Sequence, residues 1–221
     1  MSIKPFDDLD ITDPIMFGLV FSNTHIAKPF IEDNLIMNEL VFESFPELNT
    51  QRLLLRQMTR EDDRCLLEVL SDEDTCKYLT HNAVNDIAII QRMIAGMQRF
   101  FDEKQRIRWG IANKQDNSII GHCGYFDIDK ANSCAEISYC LKSGVWGQGI
   151  MTEALDAMLR FGFEDYGLNR IVAKVMKENI GSVKVLQKLG FVQEGILRES
   201  LYKNGKYHDL IIFTILKSEY H

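Results

Sequence analysis

AEISYCLKSGVWGQGIMTEALDAMLRFGF, residues 135–163, passes from a strand through a glycine-rich turn into an amphipathic helix. The strand ends near Leu141. Gly144-Val145-Trp146-Gly147-Gln148-Gly149 makes the turn, and the helix runs on to about Tyr166. Such a junction aims successive backbone N–H groups, and the positive end of the helix dipole, at one point. A pyrophosphate is stabilised there without any arginine. Glycine at 147 and 149 lets the backbone approach phosphate and adopt positive φ. Taken alone, the same stretch also reads as an ordinary connection.

A second stretch, VMKENIGSVKVLQKLGFVQEG at 175–195, repeats the passage from strand to helix. Asn179 stands where the strand gives way, with Ser182 three residues on. Asn179 is a natural helix cap, with Ser182 in the first turn. The two stretches in this order and spacing are far more specific than either one.

Working outward, Arg52–Met58 reads as a strand, and a helix starts at Thr59 or Arg60 and runs to about Leu70. Asp86–Phe101 is a longer amphipathic helix with Ile87, Ile90, Ile94, Met97 and Phe101 on one side. Three antiparallel strands follow at Arg106–Asn113, Ser118–Asp127 and Cys134–Leu141, with Asp116-Asn117 turning between the first two. Arg170–Met176 is a strand, Asn179–Leu189 a short helix closed by Gly190, and Phe191–Ser200 and His208–Leu216 the last strands, turned at Asn204-Gly205. A meander entering a βαβα unit predicts an α/β (α+β) domain with a mixed, mostly antiparallel sheet flanked by helices.

Residues 1–48 form a separate, helical N-terminal arm, with the main domain at 49–221. One helix opens at Thr12-Asp13-Pro14 and another covers about Thr24–Met37. Two short helices bury too little surface to stand alone. Phe17, Val20, Phe21, Ile26, Phe30, Ile31 and Leu35 therefore predict docking on the main domain or on a second copy of the chain.

Composition narrows the function. The 221 residues carry a net charge of −7 and no basic stripe, against nucleic-acid binding. No apolar run approaches the roughly 18 residues of a membrane span, and MSIKPFDDLD lacks the features of a signal peptide. The expected setting is the cytoplasm. The five cysteines, Cys65, Cys76, Cys123, Cys134 and Cys140, are odd in number and lack Cys-x-x-Cys spacing, so neither a disulfide framework nor a zinc site is expected. His81, His122 and His208 are scattered without metal-ligand spacing.

From about Asn49 onward the chain resembles the RimJ/RimL-like branch of the GNAT acetyltransferases. The resemblance rests on Ala135-Glu136-Ile137-Ser138-Tyr139, on Trp146-Gly147-Gln148-Gly149-Ile150-Met151-Thr152-Glu153-Ala154, on Glu178-Asn179-x-x-Ser182, on Lys188-Leu189-Gly190-Phe191 and on Tyr207-x-Asp209. Trp146 replaces the family's usual Gln or Arg, as in this branch, and Met151 occupies the motif's last small position.

The resemblance implies a GNAT fold, whose sheet splits at two parallel strands, and acetyl-CoA as cosubstrate, with no metal. The acetyl group goes to an amine, either a protein N-terminal amine such as a ribosomal protein's or a small amine. Tyr139, Cys140 and Leu141 would line the pantetheine and thioester end. Trp146, Gly147, Gln148, Gly149, Ile150, Met151 and Thr152 would hold the pyrophosphate, and Asn179 and Ser182 the thioester side. Glu136 is the candidate base, through a water, or a salt-bridged strand residue. Ser182 is the candidate acid, with Tyr139 as its substitute. Asp209 lies near the acceptor or serves a local hydrogen bond. Lys184 and Lys188 approach the 3′-phosphate or are solvated. Two alternatives differ in class: a CoA-binding module without catalysis, and an interaction protein built on the arm. Residues from about Thr12 to Leu35 are also similar to the opening helices of PD-(D/E)XK transposase/nuclease-like proteins, but no nuclease constellation follows them.

Overall fold

The computed structural model describes residues 44–221; the two helices expected within the first 37 residues lie outside them. The strands are β1 Leu48–Asn49, β2 Leu53–Arg56, β3 Ile107–Asn113, β4 Ile119–Asp129, β5 Cys134–Leu141, β6 Arg170–Met176, β7 Val192–Lys203 and β8 Lys206–Leu216. The helices are α1 Asp63–Ser71, α2 Glu73–Cys76, α3 Ile87–Asp102, α4 Ile150–Arg160 and α5 Ile180–Lys188. All eight strands form one sheet in the order β1-β2-β3-β4-β5-β6-β8-β7.

Only β5 and β6 run parallel, and they pair at Cys134↔Arg170, Ala135↔Ile171 and Glu136↔Val172. Beyond that they part. β5 stays on β4 as far as Leu141↔Gly121, while β6 stays on β8 as far as Met176↔Leu210. A wedge therefore opens toward the C-terminal ends of both strands. A β4 bulge between Phe126 and Asp129 lies beside the last parallel pair; bulges bend a strand and sharpen its twist.

Alternation along the strands sorts the two faces. Trp109, Ile111, Cys123, Tyr125, Ala135, Ile137, Ile171, Ala173, Phe213 and Ile215 join Ala154, Leu155, Met158 and Leu159 of α4 and Leu186 of α5 in one core. On the opposite face Leu66, Val69 and Leu70 of α1 are buried, as are Ile90, Met93, Ile94 and Met97 of α3. Packing extends back to Phe45, whose ring lies 4.7 Å from that of Phe101, and Trp109 Nε1 donates to Pro46 O at 2.7 Å.

Two local outcomes differ from the sequence expectation. The helix expected to reach Tyr166 stops at Arg160 and continues as one π-helical turn, Phe161–Asp165. Tyr125 Oη donates to Met158 O at 2.6 Å, a carbonyl within the last α turn, and a side chain entering the ladder widens it. Gly162 is required there, because a Cβ would collide with that hydroxyl. The last hairpin is also longer than expected. β7 continues to Lys203 through an irregularity between Leu197 and Leu201, where Glu199 takes φ 51°. That bulge breaks the period-two pattern and hides the strand's far end.

The entry to α1 is fixed by an ion pair. Arg56 Nη2 and Nη1 donate to Asp62 Oδ1 and Oδ2 at 2.7 and 2.8 Å, and the Thr59 N–H donates to Asp62 Oδ2 at 2.7 Å. Burial alone would raise the Asp62 pKa, but the Arg56 fork and the Thr59 N–H outweigh it and hold the carboxyl below its usual range. A depressed folded pKa contributes stability that is complete above the unfolded value, roughly 3.9, and is lost as pH falls through the folded one. Asp62→Asn leaves Arg56 with a broken pair and should cost about 3 kcal/mol at neutral pH. Urea melts of the two proteins at pH 7 and at about pH 3 check this: the gap should narrow in acid.

Candidate active site

The glycine-rich turn begins where β5 ends. After a single 3-10 turn, Ser143–Val145, Gly147 and Gly149 both take φ 74°. Gly149 is the residue before the first turn of α4, and no side chain caps that helix. The first N–H groups of a helix lack intrahelical partners, so those of Ile150, Met151 and Thr152 are left for a ligand. A side chain at Gly147 would meet nothing within 4 Å, and one at Gly149 only the Arg52 guanidinium at 3.7 Å. An open, N–H-lined helix start of this kind fits an anion such as pyrophosphate. The side chains of Ile150 and Met151 are buried in the core, so only their backbone is on offer; Trp146 is 47% exposed, and Gln148 is exposed as well.

The turn is braced on both flanks. Trp146 Nε1 donates to Leu141 O at 2.7 Å, and Ser143 N donates to Thr75 Oγ1 at 3.0 Å. On the other flank Arg52 Nη1 donates to Gln148 O at 3.0 Å and Arg52 Nε pairs with Glu153 Oε2 at 2.6 Å. Thr50 Oγ1 donates to Glu153 Oε1 at 2.6 Å. Sequence reading missed Arg52 here, since nothing local signals a contact to a residue 96 positions away.

Tyr139 and Ser182 meet across the wedge. Tyr139 Oη and Ser182 Oγ are 2.6 Å apart, and either can donate. Asn179 Oδ1 accepts from Ser182 N at 3.1 Å, capping α5 and fixing the serine. Tyr139 packs against the core on the side of α4 and α5. Burial pushes its phenol up to about 12, against the lowering influence of Ser182. It therefore keeps its proton at neutral pH.

Glu136 sits at the last parallel pair, on the opposite face of the sheet from Tyr139. Burial raises its pKa, and Lys174, whose Nζ lies 2.6 Å from Glu136 Oε2, works to lower it. The salt-bridged reading of Glu136 thus describes its ground state. On the same face Arg108 Nη2 donates to Ser138 Oγ at 3.1 Å, and burial brings the guanidinium down to about 10. Cys140 is buried, its thiol pushed up to about 12 by burial, so it stays neutral. Lys174 and Arg108 were not legible as site residues, because one charge on a strand carries no sign of its partner.

The remaining candidates separate cleanly. Asp209 Oδ1 accepts from Glu199 N at 2.9 Å, a local role that holds the β7 bulge. Lys184 and Lys188 lie on the exposed side of α5. Trp109 is fully buried among aromatic rings. His208 Nδ1 lies 3.8 Å from Glu178 Oε1, and His122 is buried with Nδ1 unpartnered. Among the described residues no group of three or more side chains could hold a metal ion, and no helix is long and apolar enough to cross a membrane.

This arrangement has known counterparts. The profile of the Acetyltransferase (GNAT) domain matches residues 52–192. The chain is a GNAT acetyltransferase. It is 38% identical over 173 residues to the N-acetyltransferase p20 of Bacillus licheniformis, covering 78% of this chain and 97% of that protein. It is 30% identical over 146 residues to a ribosomal-protein-serine acetyltransferase of Escherichia coli K12, covering 66% of this chain and 72% of that one. RimL, a ribosomal alpha-N-protein acetyltransferase solved in complex with coenzyme A, shares the fold with a TM-score of 0.71 at 22% identity, over 77% of this chain and 98% of that one. The GNAT acetyltransferase is thus an N-acetyltransferase of RimJ/RimL-like kind, in a family that uses acetyl-CoA.

Gly149→Val forces a branched residue to φ 74°, a strain of roughly 1–2 kcal/mol at minimum, and places methyls in the N–H-lined space. Calorimetry should show acetyl-CoA binding weakened by about tenfold or more. Gly195→Ala, with open space around it and no positive φ, should bind as the unmodified protein does.

Proposed function

We propose that this N-acetyltransferase moves the acetyl group of acetyl-CoA to the N-terminal amine of a protein, by direct attack of the amine on the thioester. The observation that carries the reading is the Tyr139–Ser182 hydroxyl pair, which joins α5 to β5, the strand that leads into the glycine-rich turn. The names of the ribosomal-protein acetyltransferase relatives favour a protein acceptor over a small amine.

Backbone N–H groups along a strand point alternately to its two neighbours. Where β5 has left β6, those on the wedge side have no ladder partner, and they serve as donors to the pantetheine arm and the thioester oxygen. That oxygen gains charge as the amine attacks, and fixed donors stabilise it. The C–S bond then breaks, and the Tyr139–Ser182 pair supplies a proton to the thiolate. An ammonium loses two protons on becoming an amide; one balances that protonation and the other passes through water to Glu136 and out to solvent. Lys174 favours the ionised form of Glu136 against burial, which favours the neutral one. No residue of the chain forms a covalent bond to the acetyl group.

Thiol release with a serine-initiated peptide, an alanine-initiated peptide and spermidine tests the acceptor class. Turnover on the peptides is expected; turnover on spermidine alone would assign a small amine, and binding of acetyl-CoA without transfer to any would mark a cofactor-binding module. Ser182→Ala and Tyr139→Phe should each lower kcat on the order of 10²-fold, with acetyl-CoA affinity unchanged. If only one does so, that residue is the acid.

The pH profile tests Glu136. An ionised base makes the rate fall as pH drops through its raised pKa, so Glu136→Gln should remove that limb. Lys174 lowers this pKa, so Lys174→Met should shift the limb to higher pH. Superimposable profiles for all three proteins would exclude Glu136 as the base.

A further inference from the structure

Lys203 is a buried lysine at the tip of the β7–β8 hairpin, 6% exposed. Its Nζ donates to four backbone carbonyls: Cys76 O at 2.7 Å, Lys77 O at 3.1 Å, Leu79 O at 2.6 Å and His81 O at 3.1 Å. An ammonium has three N–H donors, so one is shared between two oxygens. The acceptors belong to the end of α2 and the segment after it, where carbonyls past a helix end favour a cation; Cys76 O also accepts from Leu79 N at 3.1 Å. Burial lowers the lysine pKa, yet four oxygens around one ammonium hold the charged form in place.

The location of this clamp matters more than its strength. The segment that holds Lys203 is tied at its other end to the turn after β5: Ser143 N donates to Thr75 Oγ1 at 3.0 Å, while the Thr75 hydroxyl donates to Asp72 Oδ2 at 2.7 Å and lies 3.4 Å from Leu141 O. Lys203 itself belongs to the far side of the wedge. β8 pairs with β6 only from Leu210 onward, so residues 203–209 project past the C-terminal end of β6. Residues 72–81 therefore lie against the β5 side of the wedge, and Lys203 reaches them from the β8 side across its wide end. Their last residue, His81, interacts electrostatically with Arg108 and with His122, on the face that carries Glu136, Ser138 and Cys140.

We propose that Lys203 is a positioning residue for the acceptor: it straps residues 76–81 across the open end of the wedge and so sets the ceiling of the mouth through which the amine reaches the thioester. This rests on the reading that the acceptor enters from the face of Glu136. The same segment braces the start of the cofactor turn through Asp72 and Thr75, ahead of the carbonyls that Lys203 holds.

The test uses the full chain with Lys203→Met, and with Lys203→Gln, which keeps two N–H donors and covers the case in which the first variant does not fold. Hydrogen exchange at residues 77–82 should accelerate about tenfold or more, since opening the strap no longer breaks a charged cluster. With a serine-initiated peptide, KM should rise about tenfold while kcat and the acetyl-CoA Kd stay within about twofold, the pattern of lost ground-state positioning. Gln should fall between Lys and Met. Faster exchange with an unchanged KM would make the clamp purely structural and overturn the proposal, as would unchanged exchange. If the unmodified enzyme acetylates none of the peptides or spermidine, the acceptor reading fails separately. The strap is then judged by hydrolysis of acetyl-CoA, which should rise in Lys203→Met if a ceiling has been removed; equal hydrolysis would sink it.

Discussion

The structure turns on a ladder that stops after three pairs. β5 and β6 hold together at Glu136↔Val172 and no further, which leaves two strand edges inside a sheet without each other's hydrogen bonds. Buried backbone polar groups need partners, and an edge inside a domain is an unsatisfied template for a chain-like ligand. A pantetheine arm, extended and rich in amide groups, has the form such an edge receives. Every unusual feature of the site serves that gap. Its two lips are joined by hydroxyls on one face, through Tyr139 and Ser182. At the wide end they are joined by carbonyls, through Lys203.

An opening of this kind weakens a sheet unless something else holds its halves. Here the connection from β5 to β6 does so. α4 lies under both strands, and Ala154, Leu155, Met158 and Leu159 share one core with Ala135 and Ile137 on one side and Ile171 and Ala173 on the other. Each fully buried aliphatic side chain contributes roughly 1.5–3 kcal/mol, more than a few missing ladder bonds at about 1 kcal/mol each. The same helix presents its free N–H groups to the turn at Gly149. One element thus closes the split from below and leaves its uncapped N-terminus beside the turn as the candidate anion site. Glu153, in its first turn, fastens it to Thr50 and Arg52.

What the sequence made legible was local. The strand-to-turn-to-helix passage at 135–163, the cap at Asn179 and the antiparallel meander rest on spacing within about ten residues, where periodicity and turn chemistry speak directly. Positive φ at Gly147 and Gly149 followed from the same reasoning. What stayed hidden was pairing at a distance. Tyr139 and Ser182 are 43 residues apart, Arg52 and Glu153 are 101, and Lys203 reaches a carbonyl 127 residues away. At Asp209, for which the sequence left a local hydrogen bond open beside a place near the acceptor, the hydrogen bond is present and braces a bulge. The π turn was invisible because its cause, the Tyr125 hydroxyl, comes from another strand.

The division of the site by the plane of the sheet carries a chemical consequence. Tyr139 and Ser182 lie on the face of α4 and α5, while Glu136, at even register on the same strand, lies on the other. Under the proposed function, proton acceptor and proton donor are then separated by the thickness of the strand in which the thioester is held. Such separation prevents the acid from simply neutralising the base. It also fixes direction, because the amine then adds to one face of the thioester carbonyl and the tetrahedral intermediate expels sulfur toward the donor pair. Burial raises the Tyr139 phenol and favours its donor form, while Lys174 opposes, without cancelling, the rise that burial causes at Glu136. A phenol and a carboxylate hold opposite protonation states near neutral pH by their intrinsic pKa values; burial widens that margin at Tyr139, and Lys174 limits its loss at Glu136.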